Sequence, residues 1–185
     1  MIHAGASGVG TAAIQLAKHL FNARVITTAS HNKKLNTCKN LGADICINYK
    51  KEDFSKIIKK QAGDNSVDLI IDFIGAPYWE QNIDVLALDG RIVCLSMLGG
   101  VELKNMNLLP ILRKRLKIMG STLRNRPDEY KMRLTSDFHT YAMELFETEH
   151  IKPVIDTIVN WKDVEEVHKR MEKNKNIGKI VMNGM

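Results

Sequence analysis

The 185-residue sequence has few of the residues on which metal sites and disulfides depend. Its three cysteines, Cys38, Cys46 and Cys94, are scattered and stand at no metal-binding spacing. The six histidines form neither a His-x-x-x-His nor a His-Glu-x-x-His pattern. An odd number of scattered thiols suits a reducing compartment. We therefore expect no metal site in this chain and a cytoplasmic location.

Long hydrophobic runs are also missing. No apolar stretch approaches the roughly 20 residues that a membrane span needs, and no signal-peptide pattern follows Met1. The net charge is +6, but lysines such as Lys56 and Lys60 alternate with acidic residues and lack an aromatic-rich basic stripe. A solvated helix face explains these lysines better than nucleic-acid binding does. We predict neither a membrane nor a nucleic acid as a partner.

What the sequence does contain is a glycine-rich turn near its start. The stretch 2–10 reads IHAGASGVG and leads into an apolar helix pattern. Such a turn lets the backbone approach a pyrophosphate, which then faces the free N–H groups of the helix start. An ordinary strand–turn–helix could use the same glycines, so the motif alone is weak. The residues predicted to bind a cofactor here are Gly5, Ser7, Gly8, Val9 and Gly10.

Downstream of the turn, short apolar strands alternate with helices. Strands are predicted at 24–28, 45–47, 67–74, 91–95 and 116–123, and helices at 33–41, 52–62, 78–86 and 108–115. This rhythm is typical of an α/β fold with a parallel, doubly wound (Rossmann) sheet and helices on both faces. The expected strand order is 3-2-1-4-5-6, with a ligand crevice at the strand ends.

The C-terminal part follows another pattern. A long helix from 127 to about 147 precedes a strand at 154–159, a helix at 163–174 and a strand at 179–182. We interpret this strand–helix–strand unit as an appendage that needs a partner sheet which the chain does not supply. The strand before the glycine turn is short for a central parallel strand. We therefore expect the chain to be the C-terminal portion of a longer protein.

Four segments carry a resemblance to a known family: the glycine turn, Asn48–Phe54, Leu86–Arg91 and Asn174–Val181. Together they resemble the quinone oxidoreductase branch of the medium-chain dehydrogenase/reductase superfamily, over the whole chain. The resemblance implies zinc-free, NADPH-dependent hydride transfer to quinones or similar conjugated carbonyls by a homodimer. Family members begin with a GroES-like domain that is absent here, so the fragment is expected to be inactive. The implied domains are a cofactor domain at 1–150 and the C-terminal part of the catalytic domain at 151–185.

The choice of cofactor is predicted from a missing acid. NAD-specific folds place Asp or Glu about 20 residues beyond the glycine turn, where it binds the ribose 2′-OH. The stretch 28–34 has hydroxyls and lysines but no acid, which favours the 2′-phosphate of NADP. By position in the family, Ser30, Lys34 and Tyr49 match the residues that hold this phosphate. For the lysines alone, a solvated helix start is the alternative.

The resemblance implies further cofactor contacts after later strands. For Asp72 and Gly75 the alternative role is to form a turn. Ser96 stands where relatives often have glycine, so its side chain would lie close to the cofactor. The residues predicted to make these contacts are Asp72, Gly75, Ser96, Met97, Leu123 and Asn176.

The function that we predict is NADPH-dependent quinone reduction. No nucleophile–base pair or carboxylate dyad is evident, which suits hydride transfer because the cofactor supplies the chemistry. One alternative is an enoyl or alkenal reductase of the same superfamily. Another is a non-catalytic NADPH-binding redox sensor or scaffold. The sixth strand lies at the sheet edge, so we predict a homodimer through residues 117–123.

Overall fold

A computed structural model describes residues 1–184, in which strands and helices alternate. The strands are β1 (Ile26–Ala29), β2 (Ile45–Asn48), β3 (Val67–Asp72), β4 (Leu86–Cys94), β5 (Lys117–Gly120), β6 (Ile155–Asn160) and β7 (Lys179–Asn183). The α-helices are α1 (Gly8–His19), α2 (Asn32–Asn40), α3 (Phe54–Ala62), α4 (Trp79–Val85), α5 (Leu109–Arg113), α6 (Asp128–Glu147) and α7 (Val164–Glu172). No helix in the described part is both long and apolar enough to cross a bilayer.

The main sheet is joined at its centre by Ile2. The Ile2 N–H donates to the carbonyl of Ile26 in β1 at 2.8 Å, and the His3 N–H donates to Ile71 in β3 at 3.1 Å. All pairings are parallel, and the order is β2-β1-Ile2-β3-β4-β5. This is the predicted order 3-2-1-4-5-6. The predicted doubly wound fold is therefore confirmed.

Helices cover both faces of this sheet because the central strands are apolar on both sides. One buried cluster contains Ile58 of α3, Ile83 of α4 and strand residues such as Ile70. The other contains Ile14 of α1 and Cys38 of α2. Because the strands are parallel, the carboxyl ends of β1, β2 and β3 lie at one edge of the sheet, beside the start of α1.

Several predicted element boundaries were wrong. The predicted strand 67–74, for example, ends at Asp72. The predicted helix 78–86 ends at Val85, and Leu86 begins β4, where it pairs with Val67. A bulge follows, since Leu69 pairs with Arg91, and Asp89 takes a positive φ of 60° within it. The predicted strand 116–123 is also too long. β5 ends at Gly120 because its neighbour β4 ends at Cys94.

β6, α7 and β7 form a separate two-stranded parallel unit, as predicted for the C-terminal part. It is attached to the glycine turn, because the Gly178 N–H donates to the Ala6 carbonyl at 2.8 Å. Gln15 of α1 also donates to the Lys152 carbonyl and accepts from the Lys152 N–H. The C-terminal unit thus lies against the start of the sheet, while its assignment to a second domain stays a prediction.

Candidate cofactor site

The glycine turn leads directly into α1, and Ser7 caps that helix. The Ser7 hydroxyl accepts from the Gly10 N–H at 2.9 Å, which is a standard N-cap bond. The first-turn N–H groups of Gly8 and Val9 have no acceptor within the helix. These groups and the helix dipole give the turn a partial positive charge. A serine in the middle of the glycine motif therefore stabilises the helix start and leaves an anion site open.

The three glycines of the motif have different structural roles. A Cβ on Gly10 would collide with the carbonyl oxygen of Ala4, and one on Gly5 with the side chain of Thr27. These two glycines let α1 pack tightly on the turn and on β1. The atoms nearest to a Cβ on Gly8 would be those at the flexible end of a lysine side chain, for which Gly8 leaves room.

The lysine above Gly8 is Lys179, the first residue of β7. Its Nζ lies 2.8 Å from the position that a Cβ on Gly8 would take. A second source of positive charge therefore lies over the start of α1. Sequence reasoning assigned Lys179 no role, since only the folding of the C-terminal unit against the turn brings it there.

A groove of about 500 Å³ opens beside the turn, at the carboxyl ends of β1 and β2. Doubly wound sheets bind their ligands at the carboxyl ends of the strands. The structure brings five of the predicted site residues together in this groove. They are Ser7, Ser30, Lys34, Tyr49 and Asn176.

Lys34 is the basic residue that lines the groove, and it is 4% exposed. Its ammonium donates to two oxygens of Asn174, the backbone carbonyl at 2.8 Å and the side-chain amide oxygen at 2.6 Å. No carboxylate of residues 1–184 forms an ion pair with it. Burial lowers the pKa of the Lys34 ammonium, while Asp156 raises that pKa. A buried cation held only by neutral oxygens is suited to receive an anion.

The groove is not free of acid, although the stretch 28–34 is. Glu172, at the end of α7, also lines it and is exposed. Local sequence reasoning could not find this residue, because α7 reaches the groove only through the tertiary fold. Glu172 is exposed to solvent, whereas Lys34 is buried.

Asp72 is fully buried and does not line the groove. Its carboxylate accepts from the Ile74 N–H at 2.7 Å and from the Gly75 N–H at 3.3 Å. Gly75 has a φ of +86°, which favours glycine. Asp72 and Gly75 thus form this turn, and Ile74 lines the groove beside them. Cofactor contacts of Asp72 and Gly75 stay predictions.

A buried hydrogen-bond chain supports the turn after β3. Asn82 donates to Asp72 at 3.3 Å, so its amide oxygen is the acceptor for His3 Nε2, 2.7 Å away. The other ring nitrogen, Nδ1, then accepts from the hydroxyl of Thr28 at 3.0 Å. Burial lowers the pKa of His3 to about 4. A neutral His3 therefore joins the ends of β1 and β3, a role that sequence reasoning missed.

The predicted contacts after β4 and β5 do not line this groove, although Leu98 and Gly99 beside them do. Ser96 and Met97 line a second depression of about 330 Å³, together with Ser121 and Thr122 after β5. Leu123 does not line it and is 54% exposed. Cofactor contacts of Ser96, Met97 and Leu123 stay predictions.

The sheet order, the glycine turn and the groove define a doubly wound domain of the Rossmann type. The chain belongs to the zinc-binding dehydrogenase family, to which residues 8–148 match. Its similarity to quinone oxidoreductase-like proteins places it in the quinone oxidoreductase branch of the medium-chain dehydrogenase/reductase superfamily, as the resemblance implied.

Curated relatives and solved structures extend this finding. The chain is 26% identical over 98% of its length to quinone oxidoreductase-like protein 2 of Mus musculus, and covers 51% of it. It is 30% identical over 98% of its length to acryloyl-coenzyme A reductase of Sulfurisphaera tokodaii, and covers 49% of it. The chain thus spans about half the length of these relatives.

Two solved structures share the fold closely. An NAD-dependent alcohol dehydrogenase superposes with a TM-score of 0.81 and 33% identity, over 99% of this chain and 50% of that one. Escherichia coli quinone oxidoreductase complexed with NADPH superposes with a TM-score of 0.80 and 26% identity, over 97% of this chain and 56% of that one.

The family name mentions zinc, but the side chains described here do not fit a zinc site. Residues 1–184 contain no group of three or more His, Cys, Asp or Glu side chains that could hold a metal ion. We assign no step to a metal.

Proposed function

We propose that this chain is the NADPH-binding part of an oxidoreductase that reduces quinones or similar conjugated carbonyls. The observation that carries the proposal is the buried Lys34 ammonium, which lines the groove without a carboxylate partner among the described residues. Since an uncompensated buried charge is costly, a ligand with an anionic group at this place explains it best. The 2′-phosphate of NADP is such a group, and NAD lacks it.

The groove residues have separate roles in this proposal. The pyrophosphate is held by the first-turn N–H groups of Gly8 and Val9, with Lys179 above them. The 2′-phosphate is held by Lys34, with hydroxyl donors from Ser30 and Tyr49 beside it. When bound, the cofactor supplies the hydride, and these side chains bind it and fix its direction along the strand ends.

The comparisons support a nicotinamide cofactor but differ on which one. The Escherichia coli quinone oxidoreductase structure contains NADPH, whereas the alcohol dehydrogenase is described as NAD-dependent. We favour NADPH because Ser30 follows β1 at the place where NAD-specific folds have an acid. Glu172 is the one acid lining the groove within residues 1–184, and it comes from another element.

The acceptor is the second part of the proposal. Similarity to quinone oxidoreductase-like protein 2 favours a quinone, and similarity to acryloyl-coenzyme A reductase favours a conjugated thioester. Both acceptors are conjugated carbonyls that take a hydride. A homodimer through β5 is part of the same proposal.

Turnover distinguishes these functions. We expect the chain alone to oxidise NADPH little faster than background with a quinone, because Met97 and Leu123 are exposed and leave an acceptor unpositioned. A chimera that places the chain behind the N-terminal half of Escherichia coli quinone oxidoreductase should show saturable NADPH loss with quinones. Activity with enals or enoyl thioesters only would assign the alternative acceptor. Tight NADPH binding without turnover in the chimera would favour the sensor or scaffold.

A further inference from the structure

The Lys34 ammonium is fixed by one residue of the C-terminal unit, Asn174. Both oxygens of Asn174 accept from it, at 2.8 and 2.6 Å. A lysine ammonium has three donors, so one remains for a ligand in the groove. Asn174 itself lines the groove beside Lys34.

The position of Asn174 is set by the end of α7 and not by Lys34. Its N–H donates to the Met171 carbonyl at 2.8 Å, and the next N–H, of Lys175, donates to Arg170 at 3.1 Å. Asn174 has a φ of 51°, the left-handed conformation with which many helices end. Asn174 therefore presents its two oxygens to Lys34 from a hydrogen-bonded helix end.

The end of α7 also favours the charged form of Lys34. The last carbonyls of a helix carry partial negative charge, which stabilises a nearby cation. This effect and the two short hydrogen bonds oppose the cost of burying the ammonium. The charge is neutralised only in part, because both acceptors are uncharged.

We propose that Asn174 is the positioning residue of the 2′-phosphate site. It holds the Lys34 ammonium in the groove wall, so that the C-terminal unit, and not the residues after β1 and β2 alone, determines preference for a 2′-phosphorylated cofactor. This inference rests on the proposed NADPH binding. It assigns a function to Asn174 that neither the sequence nor the family match gives.

Two variants test this role with NADPH and NADH as ligands, titrated by calorimetry into the 185-residue chain. Asn174→Gly removes one acceptor and suits the positive φ, so the helix end should persist. We expect it to weaken NADPH binding about fivefold. Asn174→Asp places a carboxylate against Lys34 and should weaken NADPH binding about tenfold or more. Neither variant should change NADH binding by more than about twofold.

Lys175→Ala is the matched control, since Lys175 is exposed and adjacent, and it should leave both affinities unchanged. In a Lys34→Ala background, Asn174→Gly should have no further effect, because its role acts through Lys34. Equal losses for both cofactors, or a loss that persists without Lys34, would overturn the inference. If the unmodified chain shows no preference for NADPH, both the proposed function and this inference fail. A preference that survives both Asn174 variants defeats the positioning role alone.

Discussion

His3 is the residue that connects β1 with the turn after β3. It bonds to Thr28 in β1 and, through Asn82, to Asp72 at the end of β3. Its ring also packs against Phe54 and Tyr78, with centroids 5.0 and 4.8 Å away. Protonation would replace the acceptor at Nδ1 by a donor and place a charge in this buried cluster.

The stability of the protein should therefore depend on the pH through His3. Its pKa falls from 6.5 to about 4 on folding, so the unfolded chain binds the proton first as the pH drops. The free energy of unfolding is highest above pH 6.5, where His3 is neutral in both states. It falls by about 3 kcal/mol through this group as the pH drops towards about 4. Urea unfolding of wild type and His3→Gln at several pH values measures this.

Comparing the pH profiles of wild type and His3→Gln separates the effect of His3 from that of other titratable groups. The amino group of Met1, whose pKa burial lowers to about 5, acts in the same direction in both. His3→Gln should therefore be less stable at neutral pH but lose less stability between pH 6.5 and 4. Parallel pH profiles for the two proteins would contradict the assignment.

The individual site residues could be predicted where the cue was local or where the family resemblance supplied it, as for Asn176. Ser30, Lys34 and Tyr49 were predicted from one short stretch and a family match, and they line one groove. Lys179 and Glu172 were missed because they belong to the C-terminal unit. Their positions depend on tertiary contacts, such as the bond of Gly178 to Ala6, which no local pattern encodes.

At the scale of elements, β5 is the edge strand of the main sheet, and all four of its residues are exposed. The Ser121 N–H donates to Cys94 in β4 at 3.0 Å. Since successive residues of a strand point their N–H groups to opposite sides, the Ile118 N–H faces the open edge. An open edge of this kind can pair with a second copy.

Ile118→Pro should consequently shift the predicted dimer towards monomer or aggregate, because proline removes a donor from the open edge. Light scattering of the purified chain measures the change. Ile118→Val keeps the N–H and should remain dimeric. A dimer that survives Ile118→Pro would place the interface elsewhere.

Element order was more predictable than element boundaries. The alternation of apolar strands and helices was sufficient for the topology, because parallel strands with crossover helices leave few alternatives. The start of β4 at Leu86 was not predictable, since the residues before it favour a helix and pairing with Val67 overrides that preference. The end of β5 was likewise determined by the length of its neighbour.

At the scale of the whole molecule, several large apolar side chains are exposed to solvent. Met132 and Tyr141 of α6 are 70% and 66% exposed, and Ile158 of β6 is 64% exposed. The chain spans about half the length of the curated relatives that it matches. A complete acceptor site is therefore a proposal and not an observation of this fold.

The central claim is that this chain prefers NADPH to NADH because of Lys34. Calorimetric titration of both cofactors into wild type and Lys34→Ala measures it most directly, with Lys33→Ala as control because Lys33 is the exposed neighbour. A charge-assisted hydrogen bond contributes roughly 1.5–3 kcal/mol, so wild type should bind NADPH about one to two decades more tightly than NADH. Lys34→Ala should remove that difference by weakening NADPH alone, and Lys33→Ala should keep it. Equal affinities in wild type, or equal losses for both cofactors in Lys34→Ala, would contradict the account.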